Sequence, residues 1–190
     1  MTEPQTPGRG SPPAILRLAL DRPPTLGKGR LVCVDGPAGS GKTTLAAALA
    51  ELGGGGVVHM DDLYEGWSGL ATIDQQLHEL LTPLSEGRAG RYRRYDWDEK
   101  RFAEEVVVEP AAMTILEGVA SGAARFADLI TVLVWIEAPH DVRLRRGLER
   151  DGDAFAPHWE RWAADEVALF ARERTRQRAD VVVDGTRPLR

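Results

Sequence analysis

The sequence predicts an α/β domain built on a mostly parallel sheet, and three observations carry that prediction. Short apolar, β-branched runs alternate with helical segments along the chain. The runs are apolar throughout rather than every second residue, as in strands covered on both faces. A glycine-rich turn joins the first run directly to a segment of high helix propensity.

Taken in order, AILRLAL at 14–20 is a short amphipathic helix that Pro23 and Pro24 end. RLVCVD at 30–35 is a buried strand, and TTLAAALAEL after the turn is a helix that Gly53 to Gly56 stop. VVHM at 57–60 is a second strand. IDQQLHELLTPL at 73–84 spaces Ile73, Leu77, Leu80 and Leu81 along one helical face. Residues 85–101 look like a basic, aromatic loop, and EVVV at 105–108 is a strand or hairpin arm. MTILE at 113–117 and a run over 130–136 are buried strands. HDVRLRRGLERD is a basic helix, residues 158–179 are one long helix, and 180–184 form the last strand. Right-handed crossovers link such strands.

With 190 residues the chain suits one domain. Residues 1–28 are expected as a partly disordered N-terminal tail, because the polar, Pro- and Gly-rich start buries too little apolar surface to order itself. Residues 29–190 are the domain proper. A net charge of −5 argues against coating a polyanion, so no nucleic-acid partner is expected. No run approaches the roughly 18 apolar residues that span a bilayer, and the N-terminus lacks a signal-peptide core. The expectation is a cytoplasmic protein with no membrane partner. The single cysteine, Cys33, sits in an apolar run and is expected buried. No feature of the sequence sets an oligomeric state.

The chemistry is carried by GPAGSGKT at 36–43, a full match to the G-x-x-x-x-G-K-[ST] phosphate-binding loop. Glycines at 36, 39 and 41 let successive N–H groups turn inward toward phosphate oxygens, and the helix that follows adds its positive end. The nucleotide-binding set is therefore Gly36, Pro37, Ala38, Gly39, Ser40, Gly41, Lys42, Thr43 and Thr44. Lys42 reaches the β- and γ-phosphates, and the Thr43 hydroxyl is a Mg²⁺ ligand. A chance match in a chain of this length is on the order of one in a hundred, and the strand-then-helix setting reduces it further.

Phosphoryl transfer needs positioning, metal and charge neutralisation, so carboxylates at strand ends matter. Asp61 and Asp62 follow the second strand, and Glu117 ends the third. Such groups accept a hydroxyl proton or hold Mg²⁺. The alternatives are an N-cap or turn for the acidic pair and a solvated strand end for Glu117. Arg143, Arg146 and Arg150 share one helical face; they either meet phosphates or form a solvated charged face. RAGRYRRYDWDEKR at 88–101 interleaves arginines with Tyr92, Tyr95 and Trp97, as an acceptor-pocket wall or as an exposed loop. Trp67 is placed to cover an acceptor. Trp135, Trp159 and Trp162 suit packing, and His59 suits a structural role.

Together these motifs resemble the uridine kinase-like group of P-loop kinases, which also takes in phosphoribulokinase-like and pantothenate kinase-like members. The likeness covers residues 30–185, about four fifths of the chain. VDGPAGSGKTT is similar to the group's phosphate loop, and MDDLY to its Asp-x-Phe-Tyr element. The segment from Tyr95 to Val119 resembles the Tyr-Asp-Phe to Phe-Glu-Gly stretch, RLRRGLERD the lid helix, and RADVVVDG the final strand. The resemblance implies a three-layer P-loop NTPase fold, with a five-stranded parallel sheet ordered 2-3-1-4-5, helices on both faces and a lid at about 139–157. It implies Asp61 as general base, with Asp62 the first substitute. Glu117 and Thr43 hold Mg²⁺; Lys42, Arg146 and Arg150 act on the phosphates of ATP. The acceptor is bounded by Asp61, Asp62, Tyr64, Trp67, Tyr95, Trp97 and Lys100.

Departures from the group fall mostly on the acceptor side, with one in the lid. EGWSGLATIDQQL stands where uridine kinases carry an Asn-Phe-Asp-His-Pro segment, Lys100 where they place a histidine, and Gly147 where the lid has a second arginine. The expected function is transfer of the γ-phosphoryl group of Mg-ATP to a hydroxyl of a small molecule, a nucleoside of the uridine or cytidine kind or a related metabolite. The competing readings are a nucleoside monophosphate kinase and a nucleotide-binding regulatory NTPase.

Overall fold

In the computed structural model, residues 8–152 and 156–189 are described. The main sheet has five parallel strands, β1 (Arg30–Asp35), β2 (Gly56–His59), β5 (Met113–Glu117), β6 (Val132–Glu137) and β7 (Val181–Asp184), in the order β2-β5-β1-β6-β7. Counting only these five along the chain, this is the expected order 2-3-1-4-5. Two further strands, β3 (Gly90–Asp96) and β4 (Arg101–Val108), form a separate antiparallel hairpin.

Alternation along the strands splits the interior into two cores. On β1, Leu31 and Cys33 face one core while Val32 and Val34 face the other. The second core is covered by α1 (Pro12–Asp21) and α2 (Lys42–Gly53). The first is covered by α3 (Ile73–Ser85), the hairpin and α5 (Ala156–Glu173). Helix α4 (His140–Asp151) follows β6, and the short α6 (Thr175–Arg178) leads into β7.

Three expectations are corrected. The stretch 85–101 is not a loop throughout: its middle, Gly90–Asp96, is β3, bonded to β4 with a bulge between Arg93 and Tyr95. Its arginines point outward to glutamates across the hairpin, Arg91 to Glu105 at 2.5 Å and Arg94 to Glu104 at 2.6 Å, so a paired strand edge carries a loop's composition. The long helix at 158–179 is broken at Arg174, which takes the left-handed conformation with φ 51°; neither Gly nor Pro marks the break. The segment 1–28 is not all tail. Pro12 and Pro13 open α1 at positions that need no amide donor, and Ile15, Leu16 and Ala19 are buried in the second core, so the folded unit begins before residue 29. The part of the tail at 1–7 and the part of the lid at 153–155 lie outside the described residues.

Candidate active site

The loop from Gly36 to Thr43 runs from the end of β1 into α2, which begins at Lys42. Gly36, Gly39 and Gly41 have φ of 147°, 76° and 105°, values that side chains disfavour. Gly39 is also a point of close approach. A Cβ there would sit 2.5 Å from the backbone oxygen of Arg143, so α4 lies directly on the loop. Lys42 Nζ donates to the carbonyls of Gly36 (2.9 Å) and Pro37 (3.0 Å). Arg146 donates to the carbonyls of Gly39 (3.3 Å) and Gly185 (3.0 Å), and Arg143 to that of Ala38 (3.2 Å). Arg150 is exposed in the last turn of α4; the loop contacts come from Arg143 and Arg146.

Glu117, at the carboxyl end of β5, is buried, and its Oε1 takes the Thr43 hydroxyl at 3.1 Å and His59 Nδ1 at 2.6 Å. The carboxylate raises the pKa of His59. The two groups expected to share a metal are thus in contact, with His59 drawn in beside them. Gly118 permits this arrangement: with φ 135°, a Cβ on it would stand 2.4 Å from Met60 Cβ. The end of β5 and the turn bearing Asp61 and Asp62 therefore lie against each other.

Asp61 is exposed in that turn, and Trp97 Nε1 donates to its backbone carbonyl at 2.9 Å. Burial raises the pKa of Asp62, which faces His59, Arg94, Glu104 and the Tyr92 hydroxyl. Beyond the turn lies a pocket of about 390 Å³ whose lining includes Trp67, Tyr95, Trp97, Lys100, His158, Arg161 and Trp162. Trp67 stacks on His158 with ring centres 4.8 Å apart and meets Trp97 edge-on at 5.2 Å. Four residues expected at an acceptor, Trp67, Tyr95, Trp97 and Lys100, thus converge on one cavity. Tyr64 does not join them. It is 1% exposed, packs edge-on against Trp162 at 5.2 Å, and donates its hydroxyl to the Val119 carbonyl at 2.6 Å. The correction is physical: an aromatic ring with its only polar atom satisfied by backbone is a core residue.

Two carboxylates escaped the sequence reading. Asp35 ends β1, fully buried, and accepts the N–H groups of Gly36 (2.7 Å), Ala120 (3.2 Å) and Gly122 (2.9 Å). Burial pushes its pKa up to about 6 although those three bonds and Lys42 pull it down. Asp35 stitches the loop to the segment after β5, and its place directly before the motif was the available signal. Glu166 on α5 is 1% exposed; its Oε1 accepts the Ala38 N–H and the Trp162 indole N–H, both at 2.7 Å. No sequence signal links it to a loop 128 residues away.

The residues present suit a nucleotide phosphate chain and its cation. The loop presents its turned backbone, and Ser40 Oγ is buried with no partner among the described residues, while Thr43 and Glu117 supply oxygen donors suited to Mg²⁺. Among the described residues no group of three or more His, Cys, Asp or Glu side chains could hold a metal by itself, and no helix is long and apolar enough to cross a membrane.

Comparison with known proteins agrees with the fold. The model of the Phosphoribulokinase / Uridine kinase family matches residues 71–154. A uridine kinase of Latilactobacillus sakei is 31% identical over 139 residues, covering 64% of this chain. The chain is uridine kinase-like and belongs with the P-loop kinases. It spans 66% of the length of that relative. A uridine kinase of Borrelia turicatae is 26% identical over 176 residues, covering 81% of this chain and 85% of that protein. A tRNA dimethylallyltransferase of Anaeromyxobacter dehalogenans is 36% identical over 166 residues, covering 80% of this chain but 53% of its own length. Among solved structures, a possible uridine kinase from Bacillus stearothermophilus superposes with a TM-score of 0.60 at 24% identity, covering 82% of this chain and 89% of that one. At that identity the likeness establishes the P-loop kinase fold alone.

Proposed function

We propose that this uridine kinase-like protein is a phosphotransferase that moves the γ-phosphoryl group of Mg-ATP to a hydroxyl of a small molecule, with a nucleoside of the uridine or cytidine kind as the leading acceptor. The observation that carries the reading is the contact of Thr43, at the end of the phosphate loop, with Glu117, whose strand end lies against the Asp61–Asp62 turn that Trp97 ties to the aromatic pocket. Mg-ATP, when bound, supplies the transferable phosphoryl group and the cation that neutralises its charge.

The residues of the chain do the rest. The loop amides and Lys42 hold the phosphates, Thr43 and Glu117 hold the cation, and Arg146 with Arg150 closes the lid over the phosphate side. Asp61 accepts the proton of the attacking hydroxyl; its exposed carboxylate stands on a turn tied to the pocket wall by Trp97. Trp67, Tyr95 and Trp97 hold a flat ring, and Lys100 adds a cation at its edge. With no spanning helix among the described residues, the site suits the cytoplasm, where ATP is abundant.

An acceptor screen tests this. ADP release from Mg-ATP is followed across nucleosides, nucleoside monophosphates, sugars and vitamin precursors, with Lys42→Ala as the control. A single strong hit among uridine or cytidine supports the reading in full. A hit confined to monophosphates replaces it with a nucleoside monophosphate kinase, and acceptor-independent hydrolysis replaces it with a regulatory NTPase. Transfer of a dimethylallyl group to tRNA, assayed in parallel, would overturn phosphotransfer altogether.

A further inference from the structure

The carboxylate of Glu166 joins three parts of the molecule that the reaction must bring together. Its Oε1 accepts the N–H of Ala38, within the phosphate loop, and the indole N–H of Trp162, in the wall of the acceptor pocket, each at 2.7 Å. Its Oε2 lies 3.8 Å from Arg143 on the lid helix α4. Arg143 in turn donates to the carbonyl of Ala38 at 3.2 Å and packs over the Trp159 ring at 5.4 Å. The Ala38 residue is therefore gripped at its amide by α5 and at its carbonyl by α4.

A carboxylate this buried is a costly choice unless it is partnered, and here two hydrogen bonds reach the loop and the pocket while the other oxygen faces the lid arginine. We propose that Glu166 is a positioning residue that couples the acceptor pocket to the phosphate loop, so that a change at Trp162 is felt where the nucleotide binds. The inference rests on the loop binding a nucleoside triphosphate.

Binding of Mg-ATP to the full chain, measured by calorimetry, tests it with the variants E166A, E166Q, W162F and the double variant W162F/E166A, each checked for folding by circular dichroism. Truncation in E166A frees the Ala38 amide and should weaken Mg-ATP binding about tenfold. In E166Q the amide oxygen still accepts both N–H groups, so affinity should stay within about threefold of the parent. W162F removes only an indole donor from the pocket wall, yet should weaken Mg-ATP by about threefold, and W162F/E166A should bind no more weakly than E166A.

The inference is overturned if E166A binds as the parent does, if E166Q is as weak as E166A, or if the two single effects multiply in the double variant. Should E166A not fold, W162F decides alone: Mg-ATP affinity equal to the parent's in folded W162F overturns the inference. A parent chain that binds no Mg-ATP overturns the proposed phosphotransfer as well, which separates that failure from a failure of Glu166 alone.

Discussion

Whereas the loop from Gly36 to Thr43 owes its shape to backbone conformation and a helix start, the pocket beside it owes its shape to side chains standing on a hairpin and on α5. On the phosphate side three glycines have positive φ and α4 approaches at Gly39 to within the space of a methyl group. On the acceptor side Tyr95, Trp97, Trp67 and Trp162 make a chain of rings, each edge-on to the next. Backbone geometry is shared by any chain with the motif, because N–H groups do the recognising. Side-chain geometry is rewritten by substitution without disturbing the sheet. Two of the three departures from uridine kinases, EGWSG and Lys100, accordingly fall in the second region, and the third, Gly147, in the lid.

The comparison breaks at its strongest point if the loop lysine is dispensable. Lys42→Ala should lower kcat/KM by about a thousandfold and abolish measurable nucleotide binding, because no backbone group replaces its charge; steady-state kinetics and calorimetry check both. Asp61→Asn should leave Mg-ATP affinity intact while kcat falls by about a hundredfold or more, the loss of a proton acceptor alone. Near-normal turnover in that variant would move the base to Asp62.

A smaller effect concerns stability at the join of the two regions. Asp35 has its pKa raised from 3.8 to about 6. Between about pH 4 and pH 6 the folded protein keeps a proton that the unfolded chain has released, so stability falls as pH rises through that window. The stability of the parent relative to Asp35→Asn should decline by about 2–3 kcal/mol from pH 4 to pH 6 in denaturant titrations and be flat above it. Last, Tyr64→Phe should cost about 1 kcal/mol of stability through the lost bond to the Val119 carbonyl and leave the acceptor KM unchanged. A raised KM would return Tyr64 to the pocket.

The sequence made one side of the site more legible than the other for the same reason. The phosphate loop is eight consecutive residues whose spacing states its own geometry, and the buried strands announce themselves by unbroken apolar runs such as VLVWI at 132–136. The hairpin did not, because Arg91 and Arg94 meet their glutamates across strands and give a paired edge the composition of a loop. Tyr64 was placed by resemblance to a motif, whereas its burial depends on Trp162, a residue 98 positions later. Glu166 was invisible, since its importance lies wholly in which distant amide it faces.

Helix α1 has a bearing on how this chain comes to be folded. Its Ile15, Leu16 and Ala19 share a core with Val181 and Val183 of the last strand. Just beyond its end, Arg22 donates to the Thr131 carbonyl and to Asp180, each at 2.7 Å, and Asp180 also accepts the Leu133 N–H. The first described helix thus docks on the last described strand, about 160 residues later in the chain. Such contacts of high sequence separation form late, so α1 waits unhoused until β7 has been made, and this core seals only when the two segments meet.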